Sequence, residues 1–235
     1  MRDLTNEMPK PMLKVQDRPI LEHIIEGLKE SGIQEFLIVT GFKAEVVEDY
    51  FDDGTRWNVK ILYARQMVQD GTGKAPELAM EFVGQDDFLL TYGDILVKPE
   101  TYGEMISRFE ALPEAAGLVT VTGSEDVTKG GLFFFDKDFF LEHLVEKPDL
   151  QQLEQLRQSG FLKSGEPAWY NAGIYIFTPD LFRFTRKLQK SPRGEYELTD
   201  ALSAMVQEKK IIAGLKIPGR WVDVRDPEVL ASLQD

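Results

Sequence analysis

Cysteine is absent from the 235 residues, and histidine occurs only at positions 23 and 143. The first absence removes disulfides, Cys-ligated zinc and thiol nucleophiles together. The second leaves a multi-histidine metal site or a Ser-His triad short of its parts. Basic residues are also scarce, with 27 Lys and Arg against 40 Asp and Glu and a formal net charge of −13. A general nucleic-acid binder needs a basic face to displace counterions from phosphate, so no nucleic-acid partner is expected. A small phosphate pocket is not excluded, because a few placed cations suffice for it. No apolar run approaches the roughly 20 residues of a membrane span, and no signal-peptide pattern opens the chain. A soluble, cytoplasmic protein with no membrane partner is the expectation.

What is present is apolar and aromatic content of 43% and 11% with only 12 Pro, which favours a folded over a disordered chain. Behind Pro19, residues Ile20, Leu21, Ile24, Ile25 and Leu28 recur at helical spacing, and Gly32 closes the stretch. Phe36-Leu37-Ile38-Val39 and Asp87 to Tyr92 are continuous apolar runs, predicted as strands buried on both faces. Helices over Lys43 to Phe51, Ala75 to Met80 and Pro99 to Phe109 alternate with strands over Val59 to Tyr63 and Gly117 to Thr122. This alternation predicts an α/β domain with a mostly parallel sheet covered on both sides. Further on, Gly130 to Phe135 and Phe139 to Val145, separated by Asp136-Lys137-Asp138, read as a hairpin or a strand-rich insertion. A helix over Leu150 to Gln158, a strand over Trp169 to Phe177 and helices over Pro179 to Leu188 and Leu198 to Glu208 follow. The chain closes with a strand over Ile211 to Ile217, an extended Trp221-Val222-Asp223-Val224 and a helix over Pro227 to Leu233. A single domain over 1–235 is expected, with 123–170 as a candidate strand-rich subdomain.

Several residues carry candidate chemistry. Gly71-Thr72-Gly73-Lys74 has a P-loop look, but a Walker A loop needs Gly where Val68 stands and Ser or Thr where Ala75 stands. A glycine-rich turn ahead of a helix remains, able to offer backbone N–H groups to an anion or to serve as a plain connection. Asp94 stands just past the carboxyl end of an apolar strand, where open α/β sheets place ligands. Asp223 lies between Val222 and Val224, and an apolar strand rarely takes an unpaired charge. Convergence of the two carboxylates on one cation would satisfy both. Lys10, between Pro9 and Pro11, is predicted to be held in extended backbone; Lys147 ends an apolar run in Glu146-Lys147-Pro148. Either amine could balance phosphate charge. His23 and His143 have no partner at ligand spacing and are read as structural.

Taken in order, these elements resemble the sugar-1-phosphate nucleotidylyltransferases, also called nucleotide-sugar pyrophosphorylases. The resemblance runs from Leu4-Thr5 and Pro9-Lys10-Pro11-Met12-Leu13 through Gln66-x4-Gly71-Thr72, Tyr92-Gly93-Asp94 and Glu146-Lys147-Pro148. It continues through Tyr170-Asn171-Ala172-Gly173, Glu195-Tyr196-x-Leu198-Thr199-Asp200 and Trp221-x-Asp223, so it spans essentially the whole chain. The resemblance implies that Gln66 and Gly71 read a pyrimidine edge, with Thr72, Tyr92 and Gly93 in the same nucleotide site. It implies Mg²⁺ held by Asp94 and Asp223, nucleotide phosphates met by Lys10, and the sugar phosphate met by Lys147. Glu146 and Asn171, with Gly131 in the same wall, would bind sugar hydroxyls. Lys10, Asp94, Lys147 and Asp223 would form the catalytic set. The substrates implied are a sugar 1-phosphate and UTP or dTTP, giving a nucleotide-diphospho-sugar and pyrophosphate.

The implied fold is a Rossmann-like, mixed and mostly parallel sheet with helices on both faces, of the nucleotide-diphospho-sugar transferase type. In that family a first strand and a glycine-rich Gly-Thr-Arg loop precede the Leu-Thr…Pro-Lys-Pro segment. Here Met1 stands where the residue after that Arg belongs, so the first strand is expected to be missing. A gap in the sheet and poor turnover are expected with it. Two other functions compete: a non-catalytic relative that binds nucleotide or sugar phosphate, and a glycosyltransferase of related fold. Asp136-Lys137-Asp138 has the Asp-x-Asp form of the latter, although it falls in a predicted turn. A homo-oligomer is compatible with the sequence.

Overall fold

The computed structural model describes residues 8–123, 125–163, 165 and 167–234. The Leu4-Thr5 pair of the first motif lies outside them. A 3₁₀ turn at Lys10–Met12 opens the described chain, in place of the extended backbone that the flanking prolines suggest. Pro11 is tolerated there because a residue in a first helical turn needs no N–H donor. A hairpin follows, β1 (Lys14–Val15) with β2 (Arg18–Pro19), turned through Gln16 and Asp17 in left-handed backbone. Strands of two residues are too short to show alternation, so nothing in the pattern announces them.

Helix α1 (Ile20–Glu30) buries the Ile20, Ile24, Ile25 and Leu28 stripe. Strand β3 (Glu35–Thr40), helix α2 (Ala44–Phe51) and strand β4 (Lys60–Arg65) then form a βαβ unit, with Glu35 opposite Lys60 and Thr40 opposite Arg65 in parallel register. A 3₁₀ turn at Ala75–Ala79 and the single turn α3 (Met80–Val83) stand where one helix was expected. Next come β5 (Phe88–Thr91), β6 (Ile95–Val97), α4 (Glu100–Glu110) and β7 (Gly117–Thr122). The hairpin β8 (Gly131–Phe135) and β9 (Leu141–Glu146) is as predicted, and α5 (Leu150–Gln158) begins with an Asp149–Gln152 capping box. Strand β10 (Trp169–Phe177) is followed by α6 (Leu181–Thr185), α7 (Leu198–Gln207), β11 (Ile212–Lys216), β12 (Trp221–Asp223) and α8 (Pro227–Ala231).

Six strands form one sheet in the order β11-β7-β10-β8-β9, with β5 beside the C-terminal part of β10. It is mixed and covered by helices as expected, but mostly antiparallel rather than mostly parallel. Among the described residues parallel pairing is confined to β3 with β4 and β7 with β11, because β10 runs antiparallel to β5, β7 and β8. Alternate residues feed opposite faces. Leu118 and Ile174 join Ile20, Ile24, Tyr102 and Met105 in one core, while Val119 and Tyr175 join Leu202 and Met205 in another. Helices therefore cover both sides.

Strands β3 and β4 stand apart from this sheet. Among the described residues no strand is hydrogen-bonded between β3 and β5, although Phe36 and Leu89 pack against the same apolar cluster. The two apolar runs are consequently half-buried rather than buried on both faces, because each strand keeps one unpaired edge.

Candidate active site

The carboxyl ends of the strands bring three charged residues together. Gly93 lets the Pro11 ring pack over the end of β5, since a Cβ there would stand 3.0 Å from Pro11 Cγ. That contact places Lys10, whose Nζ lies 2.5 Å from Asp94 Oδ2 and 3.5 Å from Asp223 Oδ1. Asp223 is delivered by β12, which pairs antiparallel with β6 so that Asp223 faces Ile95 and the Val224 N–H donates to the Asp94 carbonyl at 3.0 Å. Trp221 fastens this strand to β10 by donating from Nε1 to the Ala172 carbonyl at 2.8 Å. Burial and the neighbouring charge of Asp94 hold the Asp223 carboxyl above its ordinary pKa, against the pull of Lys10 and Arg225. The Lys10 ammonium, in reach of both carboxylates, offsets their mutual repulsion.

On one side lies the glycine turn. Gln66 reaches back to the Gly71 carbonyl, Nε2 to O 3.4 Å. The turn docks on the segment before α7: Tyr196 N–H donates to Asp70 O and Gly73 N–H to Tyr196 O, both at 2.7 Å. Gly71 has φ +121°, and a Cβ there would meet Tyr196 O at 2.3 Å, so only glycine permits this docking. The Gly73 N–H is thereby spent within the protein rather than offered to an anion. Thr72 accepts the Leu198 N–H at 3.3 Å and neighbours the buried Tyr92 phenol.

On the other side, Gly131, Glu146 and Asn171 come together from β8, β9 and β10. Gly131 pairs with Glu146 across the hairpin, and a Cβ on it would stand 3.0 Å from Glu146 Oε2 and 3.4 Å from Asn171 Cβ. Asn171 sits at a bulge in β10, where its Oδ1 accepts the Gly173 N–H at 3.1 Å and its Nδ2 donates to the Tyr175 hydroxyl at 2.7 Å. Burial holds the Glu146 carboxyl above its ordinary range, with Lys147 and Arg193 pulling it down. Lys147 follows with φ 43°, a left-handed conformation that costs a β-carbon-bearing residue of order 1–3 kcal/mol. Its N–H donates to the Gly130 carbonyl, and its Nζ is 4.0 Å from Glu146 Oε1.

Three groups in these walls escaped the sequence reading. Arg193 lies 2.7 Å from the buried Glu197 and 3.6 Å from Glu146, adding a cation beside Lys147. Arg225 reaches Asp223 and Glu125. The Tyr175 hydroxyl, fully buried, links Asn171 to Tyr92. Each motif neighbour was in view, but no spacing rule marks a loop arginine as inward-facing. His23 contacts Val15 O and Arg18, and His143 packs on Phe134 and Phe161. Both do what a structural histidine does. Asp136 Oδ1 accepts the N–H groups of Asp138 and Phe140, so the Asp-x-Asp segment organises the hairpin turn. Among the described residues no group of three or more His, Asp or Glu side chains gathers as metal ligands, and no helix is long and apolar enough to cross a membrane.

Residues 1–234 match the nucleotidyl transferase family model. The low-salt glycan biosynthesis nucleotidyltransferase Agl11 of Haloferax volcanii is 31% identical over 231 residues, covering 97% of this chain and 60% of that protein. The UTP–glucose-1-phosphate uridylyltransferase AglF of the same organism is 30% identical over 229 residues, covering 97% and 87%. The bifunctional protein GlmU of Methanocaldococcus jannaschii is 33% identical over 227 residues, covering 97% and 48%. The chain thus spans from about half to 60% of the length of Agl11 and the GlmU proteins it matches. In fold it resembles UDP-glucose pyrophosphorylase complexed with UDP-glucose, with TM-score 0.83 at 22% identity over 98% of this chain and 90% of that one. Apo-UDP-glucose pyrophosphorylase superposes with TM-score 0.84 at the same identity, covering 100% and 92%.

Proposed function

The chain belongs to the nucleotidyl transferase family, that of the sugar-1-phosphate nucleotidylyltransferases, and from this premise we propose that it joins a sugar 1-phosphate to UTP or dTTP. The products are a nucleotide-diphospho-sugar and pyrophosphate. The observation that carries the proposal is the meeting of Lys10, Asp94 and Asp223 between the glycine turn and the Gly131–Glu146–Asn171 wall.

A phosphate oxygen of the sugar 1-phosphate attacks the α-phosphorus of the triphosphate. A new P–O bond forms, the bond between the α-phosphorus and the bridging α,β-oxygen breaks, and pyrophosphate leaves with that electron pair. No protein nucleophile is required, in keeping with a chain that has no cysteine. Gln66 offers an amide, both donor and acceptor, to the edge that uracil and thymine share. Glu146 accepts hydrogen bonds from sugar hydroxyls, and the Asn171 amide donates one. Lys10 and Lys147 neutralise phosphate charge and hold the two substrates in line. The donor set of two carboxylates fits Mg²⁺, which commonly binds through one or two carboxylates together with substrate phosphates and water. Asp94 and Asp223 would hold that ion, and it would supply charge neutralisation at the phosphates.

The test is pyrophosphate release that needs a sugar 1-phosphate, a pyrimidine triphosphate and Mg²⁺ together. Asp94→Ala is expected to lower it by on the order of 10²–10³; full activity in that variant overturns the assignment. Among the described residues β3 and β5 each keep an unpaired edge, which favours one other reading, a chain that binds both ligands without turnover. Calorimetric binding of UTP and a sugar 1-phosphate with no pyrophosphate released is the result that reading expects.

A further inference from the structure

The reaction set out above leaves Arg225, an inward-facing cation, without a role. Arg225 donates to Glu125 from its guanidinium, and its Nε stands 3.8 Å from Asp223 Oδ2. Lys10 approaches the other oxygen of the same carboxylate, Oδ1, at 3.5 Å. Charges therefore alternate along one line, Asp94–Lys10–Asp223–Arg225–Glu125, with Asp223 bracketed by two cations.

The two cations face different halves of the site. Lys10 leads to Asp94, which follows β5 and Tyr92. Arg225 is a charged neighbour of the Tyr170 phenol, which burial pushes up to about 12. Tyr170 immediately precedes Asn171, and a Cβ on Gly130 would stand 2.4 Å from its hydroxyl. The Gly130 carbonyl in turn accepts the Lys147 N–H at 3.1 Å. The Lys147 backbone thus meets the Tyr170–Gly130 contact that Arg225 neighbours, beside Gly131, Glu146 and Asn171, and the Lys147 amine lies 4.0 Å from Glu146 Oε1. Glu125, the partner of Arg225, belongs to the segment that leads into Gly130 and Gly131.

We propose that Arg225 binds the phosphate of the sugar 1-phosphate, and that Glu125 holds its guanidinium in place until that phosphate arrives. The proposal rests on the reaction given above and adds a ligand to it. A guanidinium presents a rigid fork of N–H donors that matches the oxygens of a phosphate as it matches those of a carboxylate. Its side chain is only 28% exposed, which limits solvent screening of such a contact. A phosphate bridged by Arg225 and Lys147 would lie against Asp223, next to the charges through which the second substrate is reached. The rival explanation is mechanical: the Arg225–Glu125 pair only ties the 125–130 segment to the end of β12.

Three variants separate ligand from tie: Arg225→Gln, Arg225→Lys and Glu125→Gln. Each is titrated calorimetrically with UTP and with glucose, galactose and N-acetylglucosamine 1-phosphates, after a thermal melt. Arg225→Gln is expected to weaken the sugar 1-phosphate that the wild type binds by about tenfold or more, with UTP binding changed by less than about twofold. Arg225→Lys keeps part of the affinity, and is the variant read if the glutamine form does not fold. Glu125→Gln binds the sugar 1-phosphate as well as the wild type or better, because a competitor for the guanidinium is gone. Equal losses in Glu125→Gln and Arg225→Gln establish the mechanical tie and overturn the proposal, as does unchanged affinity in both arginine variants. A wild type that binds none of these compounds overturns the proposed function itself, and the role of Arg225 with it.

Discussion

The two walls of the site are built on different supports. Gly131, Glu146 and Asn171 lie on β8, β9 and β10, three strands laddered together in the six-stranded sheet. Gln66 follows β4, whose hydrogen-bonded partner is β3 alone, and β3 carries an open edge among the described residues. Position on the first side is set by many backbone hydrogen bonds. On the second it is set by the docking of residues 70–73 on Tyr196. Elements with few shared hydrogen bonds open locally at lower free energy than those inside a ladder. The wall proposed for the nucleotide is therefore the softer half, and the wall proposed for the sugar is the template against which it orders.

Two glycines allow that contrast to be broken from either side, and they give the largest effects expected here. Gly71→Ala sets a Cβ 2.3 Å from Tyr196 O at φ +121°, and Gly173→Ala sets one 2.7 Å from the Tyr92 ring at φ +78°. Each substitution is expected to cost about 1–3 kcal/mol. The location of the loss should differ. Gly71→Ala is expected to undock the turn, lowering UTP affinity at least about tenfold with faster hydrogen exchange confined to the turn and β4. Gly173→Ala strains the middle of β10, so Tm falls and exchange quickens across β5, β7 and β10 together. Matching exchange patterns for the two variants would show that both walls belong to one cooperative unit.

The same contrast explains what was legible in the sequence. Asp94, Asp223 and Glu146-Lys147 stand at strand ends, where apolar runs stop and chemistry begins, so short motifs mark them. The β8–β9 hairpin was legible because Asp136-Lys137-Asp138 interrupts two apolar runs. Burial on both faces of Phe36–Val39 was expected because an apolar run reports the residues of a strand, not whether its edges are paired. Arg193 and Arg225 were missed for a related reason. A loop arginine looks like solvated surface until the fold brings Glu146, Glu197, Asp223 or Glu125 beside it. The buried Tyr175 was equally hidden, since a tyrosine in a strand reads as core whatever its hydroxyl does.

That hydroxyl gives an intermediate test. It accepts from Asn171 Nδ2 at 2.7 Å and lies 3.3 Å from the Tyr92 hydroxyl, so it joins a sugar-wall residue to the tyrosine beside Thr72. Tyr175→Phe leaves Asn171 without its partner, at a cost of about 1–2 kcal/mol. If the sugar wall depends on its own strand, KM for the sugar 1-phosphate should rise severalfold while KM for the triphosphate holds. A rise in both would mean that the hydroxyl ties the two walls together, and the contrast between rigid and soft halves would then be too sharp.

The smallest effect is read from pH. Glu146 is held above its ordinary pKa of 4.5, chiefly by burial, whereas the polar side chain of the opposite wall, Gln66, does not titrate. A carboxyl whose folded pKa exceeds its unfolded one binds its proton more tightly in the native state. Its protonation therefore favours folding below the unfolded pKa, and that contribution is lost as pH rises through the folded pKa. At neutral pH the native state bears the cost of a buried charge. Glu146→Gln removes this dependence, so its Tm relative to wild type should be most favourable near pH 7. That advantage should shrink steadily as pH falls towards 4.5 and below. Gln66→Ala should instead keep a constant offset from wild type across the same window. A Glu146→Gln difference that is flat, or that grows on acidification, would mean that the ion pairs with Lys147 and Arg193 outweigh burial. The sugar wall would then be held by charge as well as by its strands.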